Sequence, residues 1–290
     1  VTVTQMSFAD LCVDAAALAL SGGSPIGGTY AGTGIANDTL FPAQAGAGTF
    51  DITYSYTAPN ACVATVIEPI TIHGLPIVSA PTPAAQCIDA APVALAQGTP
   101  AGGTYSGIAV AANSFTPSVA GAGTHPLTYA YTDTNGCSNT DTVQAVVNAL
   151  PSVSLAAQND VCLDGGIVAL TGGSPAGGTY SGTGVSGTSF DPTVTGGGTF
   201  TIYYSFTDAN SCASSDSTTI VVHAPSATLA ALPAVCLDAA PFALTGGTPA
   251  GGTYSGTGVN MGNFDASVSG AGSFTIYYNN TSNGCIAVDS

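Results

Sequence analysis

Eight cysteines carry the most constrained chemistry in this chain, and they are evenly spaced. Cys12 and Cys62, Cys87 and Cys137, and Cys162 and Cys212 lie 50 residues apart, and Cys236 and Cys285 lie 49 apart. Thiols at regular intervals serve either metal ligation or cross-linking. Zinc sites draw cysteines in close pairs such as C-x2-C, whereas the nearest two here are 24 positions apart, Cys212 and Cys236. Spacing therefore favours disulfides. Eight cysteines allow on the order of a hundred connectivities. The period reduces these to one natural choice, a bridge within each repeat: Cys12–Cys62, Cys87–Cys137, Cys162–Cys212 and Cys236–Cys285. Each is expected to contribute roughly 4 kcal/mol by constraining the unfolded chain. Disulfides imply an oxidising, extracytoplasmic compartment.

Other groups with chemical capacity are more dispersed. Asp14, Asp89, Asp164 and Asp238 each follow a cysteine by two residues, Asp133 and Asp208 precede a turn, and Asp191 and Asp265 follow Phe190 and Phe264. Calcium takes clustered carboxylates and carbonyls. Without a D-x-D-x-D-G loop, such aspartates read either as turn caps or as calcium ligands near the repeat junctions, and no cofactor other than calcium is suggested. His73 and His223 stand at repeat ends and His125 replaces a core phenylalanine, which suits linking and packing. Ser, His and Asp are all present, but no G-x-S-x-G elbow accompanies them, so an enzyme is not expected. Tyr203 and Tyr277 fall on the outward phase of a strand, where they serve strand propensity or stack on sugars.

Charge narrows the function classes further. The chain has no lysine or arginine, and its sixteen acidic residues are fifteen aspartates and Glu68, giving a formal charge of −16. Nucleic acid is not an expected partner, because no cationic surface exists to neutralise phosphates. Schiff-base chemistry, P-loops and lysine isopeptide cross-links are excluded by composition. No apolar run approaches the length of a membrane span. Residue 1 is Val with no leader pattern behind it, which suggests a processed or excised portion of a longer chain.

The elements that must position these residues repeat four times. Gly27-Gly28-Thr29-Tyr30, Gly102-Gly103-Thr104-Tyr105, Gly177-Gly178-Thr179-Tyr180 and Gly251-Gly252-Thr253-Tyr254 place their tyrosines 75, 75 and 74 residues apart. The expected repeats are 1–74, 75–149, 150–224 and 225–290. A core of about 75 residues usually needs a staple. With 38 glycines and 18 prolines, and short alternating runs between turns, each repeat reads as an all-β sandwich of about six strands. In the third repeat, Phe200, Ile202, Tyr204 and Phe206 share the inward phase. Asp14–Leu20 has helical composition, but Pro92 and Pro241 in its counterparts favour strand. The within-repeat bridge requires the first cysteine and the start of the last strand to share one end of the sandwich. An even number of up-and-down steps between them would satisfy that. Short proline-bearing linkers predict a semi-rigid rod. The fourth repeat stops before a counterpart of Thr218–Val222, so its closing strand is expected from a continuing chain, or else from a neighbouring subunit.

The runs Tyr131-Thr-Asp-Thr-Asn-Gly-Cys137 and Gly98-Thr-Pro-Ala-Gly-Gly-Thr-Tyr-Ser-Gly107 resemble the Ig-like or PKD-like repeats of Bacteroidota cell-surface proteins. Among these are gliding-motility-type adhesins secreted by the type IX system. The resemblance spans all four repeats. It implies a secreted structural or adhesive protein, a stretch of surface stalk or filament whose partners are other copies, neighbouring repeats, surfaces or glycans. It also implies O-glycosylation at Asp-Ser/Thr-apolar sites, matched by Asp38-Thr39-Leu40 and Asp141-Thr142-Val143. A calcium- or carbohydrate-binding surface module is the alternative.

Overall fold

A computed structural model describes residues 1–95 and 98–290. The chain is all-β and divides into two compact units, Val1–Ala149 and Leu150–Ser290, each containing two of the sequence repeats. The third repeat shows the plan. Its backbone is a long antiparallel hairpin, Gly198–Thr207 against Ala213–His223, in register from Gly198↔Val222 to Thr207↔Ala213. β-Branched and aromatic residues favour this pleated arrangement. Their alternation buries Ile202, Tyr204, Ile220 and Val222 and turns Tyr203 to solvent, about half exposed.

Two shorter strands complete this sheet. Thr179–Ser181 pairs antiparallel with the first arm of the hairpin, and Val161–Cys162 pairs parallel with the second. A second sheet orders Val168–Ala169, Ser189–Phe190 and Val185–Ser186, and Ser154–Leu155 ladders with Gly173–Ser174. Leu155, Leu170 and Phe190 from this side meet Ile202, Tyr204, Ile220 and Val222 in one core, so the two sheets form a sandwich. Equivalent cores join Leu20 and Leu40 to Ile52, Ile70 and Ile72 in the first repeat. In the second, Leu95 and Phe115 meet Leu127, Tyr129, Val143 and Val147.

Several strand predictions are met with altered bounds. The Asp14–Leu20 segment and its proline-bearing counterparts are strands, though only two residues long, at Leu18–Ala19, Val93–Ala94 and Phe242–Ala243. Val161–Cys162 and Val168–Ala169 belong to different sheets. The third repeat has nine strands rather than about six. The corner after Phe190 is a short helical turn, Pro192–Val194, matched by Pro42–Ala45, Pro117–Ala120 and Ala266–Ser269. Proline suits the first helical position because its missing N–H would have no partner there. Asp191 and Asp265 cap these turns, accepting hydrogen bonds from the Thr193 and Ser267 amides.

The fourth repeat has the shortest closing hairpin, Ile276–Ser282 against Cys285–Asp289. No strand among the described residues covers the segment before Ile276. A groove of about 450 Å³ lies there, lined by Leu237, Phe242, Phe264, Phe274 and Ile276 among others. Phe274, Val235 and Leu237 are correspondingly exposed.

Candidate functional site at the repeat junctions

The recurring Gly-Gly-Thr-Tyr stretch is a tyrosine clamp. The Tyr204 hydroxyl accepts a hydrogen bond from the Gly178 amide at 2.8 Å and donates to the Pro175 carbonyl at 2.5 Å. Tyr54 does the same with Gly28 and Pro25, Tyr129 with Gly103 and Pro100, and Tyr278 with Gly252 and Pro249. Tyr180 packs on Tyr204 with ring centroids 4.8 Å apart. Glycine is required at 178 by proximity: a Cβ there would lie 2.5 Å from the Ser205 carbonyl oxygen and 2.5 Å from the Tyr204 ring. Burial, then Tyr129 and Asp141, push the Tyr105 phenol above its ordinary pKa. The motif therefore secures a loop to the sheet, which is a structural task.

The aspartates work the same way. Asp133 Oδ1 accepts from the amides of Asn135 and Cys137, and Asp208 Oδ1 from those of Asn210 and Cys212. Asp141, Asp216 and Asp289 each accept the amide of a residue in the first segment of their repeat, Ala80, Leu155 and Leu229, at 2.7–2.8 Å. Asp14, Asp89, Asp164 and Asp238 are exposed. Among the described residues no three His, Cys, Asp or Glu side chains gather to hold a metal ion. His125 sits 2.9 Å from the Gly121 carbonyl and beside Phe115. Thr142 is exposed on the hairpin, and Thr39 is half-buried with its hydroxyl toward the Asn37 carbonyl. Among the described residues no helix is long and apolar enough to cross a membrane.

The cysteines correct the sequence expectation. Cys12 is bonded to Cys137 and Cys162 to Cys285, each with a Cα–Cα distance of 5.5 Å. Cys87 and Cys212 are disulfide-bonded as well, while Cys62 and Cys236 are free and exposed. The expected Cys12–Cys62, Cys162–Cys212 and Cys236–Cys285 bridges are therefore not formed, nor is Cys87–Cys137. Strand polarity is the reason. Cys12 pairs in parallel with His73, the last residue of the closing strand Val63–His73. Cys62 precedes the first residue of that strand. Eleven residues of strand separate the two ends by about 33 Å, far beyond the roughly 4.4–6.8 Å that a disulfide tolerates. The same geometry holds for Cys162, which pairs with His223 at the end of Ala213–His223. The first cysteine thus lies at the exit of its repeat, where the next repeat's final turn presents its own cysteine.

Polar contacts gather at the repeat ends, and one of them, Asn283 to His223, crosses from one repeat to the next. In the first unit the Asn139 amide donates to the Pro76 carbonyl at 2.9 Å, and His73 lies 3.1 Å from Asp10. In the second, the Asn280 amide donates to the Ser226 carbonyl at 2.8 Å. His223 is gripped from both sides: the Asn283 amide donates to Nδ1, which leaves Nε2 as the protonated nitrogen facing Asp160 at 3.2 Å. Sequence reading placed His73 and His223 at the repeat ends correctly. It assigned no such contact to Asn139, Asn280 or Asn283.

Comparison with known proteins gives fold likenesses at low similarity. No family model matches the chain, and no curated protein matches it. Among solved structures, a calcium-stabilised adhesin with which an Antarctic bacterium binds ice is 13% identical, covers 94% of this chain and 92% of its own, and has a TM-score of 0.33. Insect hemolin is 12% identical over 99% of this chain and 97% of its own, with a TM-score of 0.23. Drosophila N-cadherin EC1-4 is 12% identical over 83% and 81%, with a TM-score of 0.24. At these TM-scores the likenesses carry no argument, and the fold stands on its own strand pairings.

Proposed function

We propose that this chain is a force-bearing segment of an extracellular structural or adhesive protein, a surface stalk or filament built from tandem sandwich modules. The observation that carries this reading is the bridge from each unit's first repeat to its second, Cys12–Cys137 and Cys162–Cys285. Through them the covalent path from one end of the chain to the other uses only residues 1–12, 137–162 and 285–290. Tension then runs through sulfur, and most strands of residues 13–136 and 163–284 lie off the loaded path, while the hairpin arms Ser138–Asn148 and Cys285–Asp289 stay on it. Such wiring suits mechanical load and offers nothing to catalysis. It also requires an oxidising compartment.

In this reading the modules are 1–74, 75–149, 150–224 and 225–290, arranged as a rod, and the partners are other copies or surfaces. The residue resemblance to Bacteroidota surface repeats supports a secreted adhesin of that kind, with Thr39 and Thr142 as the O-glycosylation sites. Single-molecule extension tests the reading. Two closed loops, of sequence separation 125 and 123, hide on the order of 800 Å of contour. The oxidised chain is expected to extend little before rupture and the reduced chain to gain that length. Equal extension in both states would remove the mechanical role.

A further inference from the structure

The bridges follow one rule, and that rule leaves two complementary half-bridges. In each unit the first cysteine of the leading repeat joins the second cysteine of the following one. Cys62 is a second cysteine, in the position of Cys137 and Cys285. Cys236 is a first cysteine, in the position of Cys12 and Cys162. Both are exposed thiols, whereas Cys137 and Cys285 are almost wholly buried.

Both half-bridges keep backbone features of the bridged cysteines, although Cys236 lacks the two-residue parallel strand that Leu11–Cys12, Gln86–Cys87 and Val161–Cys162 form. The residue before each second cysteine is left-handed: Ala61 at φ 63°, Gly136 at 83°, Ser211 at 65° and Gly284 at 80°. Alanine and serine hold that conformation at a cost that Gly136 and Gly284 escape. The turn is closed identically, since the Ala58 amide donates to the Cys62 carbonyl as Asp133 does to Cys137 and Asp208 to Cys212, all at 2.9 Å. On the other side, the Ala239 amide donates to the Cys236 carbonyl at 3.1 Å, as Ala15 does to Cys12 and Gly165 to Cys162. Cys62 thus keeps the turn of a bridged cysteine without the bridge.

We infer that Cys62 and Cys236 each form one more bridge of this type with a further repeat of the same kind: Cys62 with a first cysteine like Cys236, and Cys236 with a second cysteine like Cys62. The partner repeat lies either on a second copy, joined head to tail, or further along one longer polypeptide. Formation removes one proton and one electron from each thiol. A disulfide oxidant accepts them by thiol–disulfide exchange and is itself reduced to two thiols. The inference rests on the bridge pattern and not on the load it carries, and disulfide mapping reads that pattern separately from extension.

The test uses the full chain as Cys62→Ser and Cys236→Ser variants in a glutathione redox buffer. Mixed, they are expected to give a heterodimer, released by reductant, at a yield at least tenfold above either variant alone. Equal coupling of each variant with itself, or no coupling in the mixture, would overturn the inference. Disulfide mapping of the native material then identifies the source. Cys62 linked to Cys236 assigns a second copy, and Cys62 linked to a first-type cysteine outside these 290 residues assigns a longer chain. Finding both as free thiols or as small-thiol adducts would refute it.

Discussion

Tyr204 makes two hydrogen bonds with one hydroxyl, and both partners are backbone groups of the loop that leads into Thr179–Ser181. Replacing it with phenylalanine strands the Gly178 amide and the Pro175 carbonyl while preserving the ring. Tyr204→Phe is expected to lower unfolding free energy by about 1–3 kcal/mol, read from urea midpoints at constant slope. Gly178→Ala drives a methyl group into the ring and a carbonyl oxygen, and a similar or larger loss is expected. Asp265 offers a pH test. Its carboxyl lies below the usual carboxylate range, first because the Ser267 hydroxyl donates to it and then through the Ser267 and Val268 amides. A lowered folded-state pKa gives stability that is present above the unfolded value and lost as pH falls through the folded one. Ser267→Ala should raise the Asp265 pKa toward its ordinary value in a carboxyl NMR titration. An unchanged value would show that the hydroxyl is not the cause. The inward phase of Ile202 and Tyr204 was legible in the sequence because period 2 is a local signal. The need for Gly178 was visible only as recurrence, since its reason is a ring that arrives from 26 residues away.

Among the elements, the least legible strands decided the most. Val161–Cys162 and its counterparts at Leu11–Cys12 and Gln86–Cys87 are two residues long. A two-residue strand carries no periodicity, so its direction and partner cannot be read from pattern. Its parallel pairing sends the first cysteine to the far end of the closing strand, and with that the expected bridge within the repeat becomes impossible. The long hairpin arms, by contrast, were readable in position and phase because their alternation extends over ten residues. A consequence follows for stability. Closing a loop of sequence separation 125 contributes roughly 4–5 kcal/mol in the chain-entropy picture. The double variant Cys12→Ser, Cys137→Ser is expected to lose up to that amount in denaturant unfolding, and Cys62→Ser to lose almost nothing. Comparable losses in both would mean that Cys62 already has a partner.

On the scale of the whole chain, each compact unit carries one bridge that joins its first repeat to its second. The sequence disclosed the fourfold period, the all-β class and the use of cysteines as disulfides, because each rests on composition or spacing. It did not disclose which repeats are joined, because that depends on which end of a sandwich each cysteine occupies. The most direct test is disulfide mapping of the unreduced chain after digestion with a protease that cleaves at aspartate, since trypsin finds no basic residue. Cross-linked peptides joining Cys12 to Cys137 and Cys162 to Cys285 are the predicted result. Peptides joining Cys12 to Cys62 and Cys162 to Cys212 would contradict it.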